Sequence, residues 1–385
     1  MSTPEQLTSY GRDAWRISNS QVEVIVTKRG GMMAPVTFFG DTGSPIQPYY
    51  ISPWQAEARG LNGDVLDSLR GDFFCLPFGW PSEENGVQYA PHGDATGSDW
   101  SEATEEVDGG FTTLTTEVRT ANPAGTIRKR ITLSEGHNAI YVSHELEGYD
   151  VQTPLGHHAT LDCAGEKTQW RVSSGPSVCG FTDLGLPYYQ HSQMYFSLRP
   201  FARFDSLKSV PTVWRDSPVA DCSRFPARPG FVDHLQLIAA GDHFPGWTAA
   251  VRPDDGFLWF TLKDPEVLPS TLVWMDNGGR WDEPFSGRNQ ALGLEEVCSF
   301  LARGLVESRK DNYLNRLGLP TTVRLRPDTP TRVRVIQGVA RIPEGFDEVS
   351  TIKARNDAVT FVSTSGKEAT APVDISFLEP AAKAK

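Results

Sequence analysis

The chain has 385 residues, with 36 Lys and Arg against 48 Asp and Glu, for a formal net charge of −12. That balance excludes the basic stripe that a nucleic-acid or anionic-membrane surface needs, and no apolar run approaches the roughly 20 residues of a membrane-spanning helix. Five cysteines (Cys75, Cys163, Cys179, Cys222 and Cys298) lack any C-x-x-C pair. They fit reduced, buried thiols rather than a disulfide framework or a zinc knuckle, and with no basic and apolar leader in the first residues the expected setting is cytoplasmic.

Thirty-five glycines and 28 prolines divide the chain into short segments, as suits many strands joined by turns. Gln21 to Val26 opens a series of alternating or β-branched stretches. Phe111 to Val118, Ile127 to Leu133 and Ala139 to Leu146 continue it, and Phe257 to Leu262, Ala291 to Val297, Thr322 to Leu325 and Thr331 to Ile336 complete it. One helix is expected over 300–317, where Leu301, Leu305, Tyr313 and Leu317 recur near helical spacing, Gly304 interrupts, and Gly318 with Pro320 supplies a stop. Few other segments read as helix, so a doubly wound parallel sheet is excluded. The expected fold class is all-β: one large antiparallel β-sandwich over 1–348 with few short helices. A C-terminal extension over 349–385 follows, read as a hairpin packed on the sandwich plus an Ala/Lys tail at 381–385.

Phosphate-cradling glycine motifs, a G-x-S-x-G elbow and H-E-x-x-H are all missing. Candidate chemistry lies in five scattered segments. In Ala291-Leu292-Gly293-Leu294-Glu295-Glu296-Val297, strand alternation turns Glu295 away from Leu292 and Leu294, beside the gap at Gly293. Glu296 then takes the other face. The remaining four are the run Arg70 to Trp80, the loop Pro91-His92-Gly93, the pair His157-His158, and Leu272 to Trp281 with Trp274 and Asp276. Together they are what a sugar site needs: aromatic faces against the C–H face of a pyranose and a few polar groups for its hydroxyls.

At these segments the chain resembles the galactose mutarotase-like superfamily, the aldose 1-epimerases and hexose-6-phosphate mutarotases. Arg70 to Gly79 is similar to that family's arginine-glycine segment leading into Cys-x-Pro-x-Phe-Gly. Pro91-His92-Gly93, followed by Trp100, is similar to its Pro-x-His-Gly loop, and Leu292-Gly293-Leu294-Glu295 to its Leu-Cys-Leu-Glu strand. His158-Ala159-Thr160-Leu161 stands where the family has His-Thr-Tyr-Phe or His-Pro-Tyr-Phe, with Thr-Leu replacing Tyr-Phe.

The resemblance implies the large β-sandwich, often called a supersandwich, and an isomerase that interconverts sugar anomers. It implies Glu295 as general base, His158 as general acid and His92 near the ring oxygen. Arg70 becomes a substrate-holding arginine, with His157, Asp276 and Trp274 as further substrate contacts. An ionised glutamate beside a histidinium suits the reaction, each charge favouring the other. The implied partner is a small-molecule sugar or sugar phosphate, with no cofactor and no metal. Whether His157 or His158 faces the ligand stays open. So do two other readings: a metal-dependent sugar isomerase or lyase using His92, one of the paired histidines and Glu295 as ligands, and a non-catalytic carbohydrate-binding protein.

Overall fold

The computed structural model describes residues 2–57, 65–163, 169–185 and 192–379. The Ala/Lys tail at 381–385 lies outside them. Two antiparallel sheets dominate. In the nine-stranded sheet, Phe257–Lys263 pairs with Thr331–Arg341, which pairs in turn with Ala139–Glu147, Ala124–Ser134 and Phe111–Ala121 in succession. In the eight-stranded sheet, Ser177–Thr182, Phe231–Ala239, Ser270–Asn277 and Gln290–Cys298 lie side by side. The short strands Leu155–His157 and Ala159–Asp162 both pair with Gln290–Cys298. The all-β sandwich expected from the alternating stretches is what forms.

Alternation within each strand explains the layering. On Gln290–Cys298, Leu292 and Leu294 enter the core between the sheets, where they join Val273, Leu235, Leu161, Trp259, Val335 and Val142. Ala291 and Val297, of opposite parity, join Leu272, Trp274, Phe73 and Phe181 on the outer face of the eight-stranded sheet. Loops cover that outer face, contributing Trp54, Leu69, Phe78, Phe285, Phe300 and Leu314. Phe257–Lys263 and Ser270–Asn277 are buried at every position, as expected of central strands covered on both faces.

The C-terminal segment has one strand more than the expected hairpin. Val349–Arg355, Ala358–Ser363 and Glu368–Pro372 form a three-stranded antiparallel sheet. Its Val359, Phe361, Ala369 and Ala371 pack on Leu258, Phe260, Trp247 and Ile336, the outer face of the nine-stranded sheet. The single helix expected over 300–317 is also corrected. It is two short helices, Gly304–Arg309 and Tyr313–Arg316. Leu301 at φ +47° and Gly304 at φ +75° cannot continue a right-handed helix. Lys310 is extended, and Asn312 restarts the second helix with a capping box to Asn315.

Glu296, expected to take the face opposite Glu295, does so between the sheets. Its Oε2 bonds Lys263 Nζ of the facing sheet and accepts from Thr271 Oγ1 at 2.8 Å. Both charged side chains are at most 2% exposed. Burial lowers the Lys263 pKa, while Glu296 opposes that shift. Removing one partner would leave an uncompensated charge in an apolar core. Lys263→Met is therefore expected to cost about 3–5 kcal/mol in urea unfolding, and adding Glu296→Gln should recover most of the loss.

Candidate active site

The outer face of the eight-stranded sheet holds a cleft of about 210 Å³, the space of roughly seven waters at about 30 Å³ each. Its apolar lining includes Leu69, Phe73, Trp80, Met194, Leu272, Trp274 and Phe285. His92, His158, His234, Arg280 and Glu295 are the polar members among the described residues.

Strand pairing brings Glu295 and His158 together. Leu155 pairs with Cys298 and Gly156 with Val297, and beyond a short break Ala159 pairs with Leu294 in the same register. His158 thereby falls beside Glu295, its Nε2 at 3.4 Å from Glu295 Oε1. The His158 ring stacks on Phe73 with centroids 4.5 Å apart, and its Nδ1 lies 3.2 Å from Thr160 Oγ1. Gly293 provides the gap that the alternation implied. A Cβ there would sit 2.7 Å from Glu295 Oε1 and 3.0 Å from Trp274 Cβ. Trp274 is the cross-strand partner of Gly293, so its side chain lies beside the carboxylate.

His92 arrives on a strained loop rather than a strand. It adopts φ +56°, followed by Gly93 at +85°, where a Cβ would come within 2.0 Å of the Leu76 carbonyl oxygen. The ring is edge-on to His158 with centroids 5.0 Å apart, and its Nδ1 lies 3.5 Å from Cys75 Sγ.

Burial decides the charge state of this group. It pushes the Glu295 carboxyl well above the usual carboxylate range and the His158 imidazole well below its own. His92 is driven down to about 3 by burial, with Arg280 and His234 adding to the effect. Burial thus works against the expected ionised glutamate facing a histidinium, since desolvation disfavours the charged form of each partner.

Of the remaining expected contacts, only Trp274 lines the cleft. His157 has the opposite parity and points into the sandwich core, where Nδ1 meets Asp72 Oδ2 at 2.9 Å and the ring lies 4.9 Å from that of His144. Of the two histidines, His158 lines the cleft and His157 does not. That breaks up the metal-ligand reading wherever His157 was its member, and no group of three His, Cys, Asp or Glu among the described residues is placed to hold a metal ion.

Arg70 is corrected too. Fully buried, it donates to the Ser68 and Ser9 carbonyls and, at 2.9 Å, to Gln55 Oε1. It ties an N-terminal strand to the loop layer and does not line the cleft. Asp276 accepts from Asn289 Nδ2 at 2.8 Å and from the Gly279 N–H at 3.1 Å, closing the turn after its strand. Burial raises its pKa to about 6.

Two cleft residues escaped the sequence reading. Arg280 lies in a segment singled out for Trp274 and Asp276, and its own role was invisible there. Its guanidinium sits 3.8 Å from the Phe285 ring centroid and 5.4 Å from that of Trp80, with Nε and Nη2 both 2.8 Å from Asp282 oxygens. His234 lies in Phe231–Ala239, a strand that the alternating-pattern series omitted. Its even parity, shared with Val232, Gln236 and Ile238, was the available signal.

No protein-family model matches the chain, and no curated protein does. Solved structures do match it. YeaD of Salmonella typhimurium, a proposed mutarotase, is 12% identical, with 88% of this chain and 94% of that one covered and a TM-score of 0.58. A proposed aldose 1-epimerase from Escherichia coli K12 is 13% identical over 86% of this chain and 99% of its own, with a TM-score of 0.54. A galactose mutarotase-like protein from Clostridium acetobutylicum is 10% identical over 88% and 98%, with a TM-score of 0.60.

Gly293 offers a direct check on the cleft geometry. In Gly293→Ala the new methyl displaces the far end of the Glu295 side chain, 2.7 Å away, and presses on Trp274 Cβ at 3.0 Å, which must give by a few tenths of an ångström. The melting temperature is expected to move by only a few degrees, while the environment of Trp274, read by fluorescence, changes. From these matches and the two packed sheets, the chain has the galactose mutarotase-like fold.

Proposed function

We propose that the protein is a sugar isomerase of the aldose 1-epimerase type, acting on a single small aldose. The observation that carries this reading is the Glu295–His158 pair, 3.4 Å apart at the floor of a cleft with aromatic walls. Mutarotation breaks the bond between the anomeric carbon and the ring oxygen. One group must take the proton from the anomeric hydroxyl while another gives a proton to the ring oxygen. The open-chain aldehyde then rotates about its first carbon–carbon bond, and closure on the other face returns both protons.

A neutral Glu295 with a neutral His158 contains the same number of protons as a carboxylate with an imidazolium. The pair can therefore start from either arrangement, and opening converts one into the other. Burial favours the neutral form of each, so in this reading Glu295 is the acid for opening and His158 Nε2 the base, with the roles exchanged on closure. His92 supports the ring oxygen from the side. Trp274 brings an apolar ring to the cleft, suited to the C–H face of a pyranose. The dry lining strengthens each hydrogen bond to the reacting atoms. The solved structures of similar fold include proteins proposed to be mutarotases and aldose 1-epimerases, which agrees with this assignment.

Exchange between α and β anomers, followed by saturation-transfer NMR over a panel of free and phosphorylated aldoses, tests the reading. Glu295→Gln should lower the exchange rate by about 100-fold or more. A variant as active as the parent would remove Glu295 from the reaction.

The pair also sets two pH dependences. Activity should be flat while the total proton count of the pair is constant. It should fall on the acid side below the ordinary histidine range and on the alkaline side above the ordinary carboxylate range. The Glu295 shift also makes its own contribution to stability depend on pH. The folded-state pKa is raised, so this residue favours folding below the unfolded value near 4.5 and disfavours it as pH rises towards the folded value. Glu295→Gln is accordingly expected to melt higher than the parent at pH 8, with the two curves converging near pH 4. A constant difference at all pH values would contradict the assigned charge state.

A further inference from the structure

His234 lines the cleft but has no part in the acid–base pair. Register fixes its place. His234 pairs across the sheet with Trp274, and Trp274 with Gly293. The strand of His234 therefore lies two strand spacings from that of Glu295, roughly 9.5 Å away, with Trp274 as the floor between them. Behind it, His234 Nδ1 faces Asp183 Oδ2 at 3.7 Å. Asp183 Oδ1 receives Arg303 Nη2 at 2.7 Å and the Leu184 N–H at 2.6 Å, and both Asp183 and Arg303 are buried. At 3.7 Å the carboxylate is beyond hydrogen-bond distance, but its negative charge favours the tautomer with the proton on Nδ1, the nitrogen facing it. Nε2 is then left as an acceptor. Arg280, the other polar residue beyond the reacting pair and His92, is a donor only. Its charge is already paired with Asp282.

We propose that His234, positioned by Asp183 and Arg303, is a specificity-determining residue that together with Arg280 binds one hydroxyl of the sugar at the end remote from the anomeric carbon. A hydroxyl suits both partners at once. It donates its proton to His234 Nε2 and accepts from the Arg280 guanidinium. A carboxylate or a phosphate dianion has no proton for Nε2, and it would meet an arginine already paired with Asp282 and a histidine backed by Asp183. This rests on the proposed function, since Glu295 and His158 define which end of the ligand is anomeric.

The test compares sugars that differ only in the remote substituent: D-glucose with D-xylose, and D-galactose with L-arabinose. Anomer exchange is measured for the parent, His234→Phe and His234→Gln. For the parent, the expected KM is lower for each hexose than for its pentose, by roughly two- to ten-fold for one hydrogen bond. His234→Phe should bring the ratio close to one, mainly by raising the hexose KM rather than by lowering kcat. His234→Gln, whose amide oxygen is an acceptor, should restore part of it.

An unchanged ratio in His234→Phe would overturn the proposal while leaving the isomerase reading intact. So would a parent that prefers glucose 6-phosphate to glucose. Should His234→Phe fail to fold, the parent alone decides through its 15N-labelled histidines. The hexose should shift the Nε2 resonance of His234 and the pentose should not, and equal shifts would count against it. If none of these sugars exchanges or binds, both the isomerase reading and this proposal fall.

Discussion

The geometry of the cleft depends on one strand being held in one register. Gln290–Cys298 alternates between two environments, and the Lys263–Glu296 ion pair anchors its inner face to the opposite sheet. A slip of one residue would send Glu295 into the core and Glu296 into the cleft. Burying two charges is costly, and a hydrophobic pair would pack at no such cost. What the ion pair adds is intolerance of any other register. Thr271 joins it, so three strands in two sheets converge on the same carboxylate.

The same exclusion of water that makes the inner pair demanding sets the chemistry of the outer one. Around Glu295 and His158 burial works the same way, favouring the uncharged form of each. The arginines nearby follow the same logic. Arg280 is balanced by Asp282 and Arg303 by Asp183, so the cleft is polar at a few aimed points and close to uncharged.

Much of this was legible in the chain. Period-two stretches located strands because a half-buried strand must alternate, as Phe111–Ala121 does almost without exception. The same rule, applied to one heptapeptide, separated Glu295 from Glu296 and pointed to Gly293 as the gap beside the carboxylate. The helix over 300–317 failed for a local reason. Its apolar spacing was real, but Leu301 and Gly304 adopt left-handed backbone, which spacing does not reveal. Arg70 and Asp276 failed for a different one. A buried arginine bonded to carbonyls and a buried aspartate closing a turn carry the same letters as ligand-binding residues. Only their partners tell them apart, and those lie up to 61 positions away in sequence.

By itself, then, the sequence determined many of the strands, the all-β class, and which of two adjacent glutamates faces outward, because all three follow from the pleat of a single chain segment. The tertiary structure decided which histidine of the pair meets Glu295, because that depends on the register between two strands separated by more than a hundred residues. It alone brought in His234, which pairs across the sheet with Trp274, and Arg280, whose guanidinium lies over the Phe285 ring. And it set the direction in which the pair's pKa values move, because burial is a property of the assembled layers and of no residue alone.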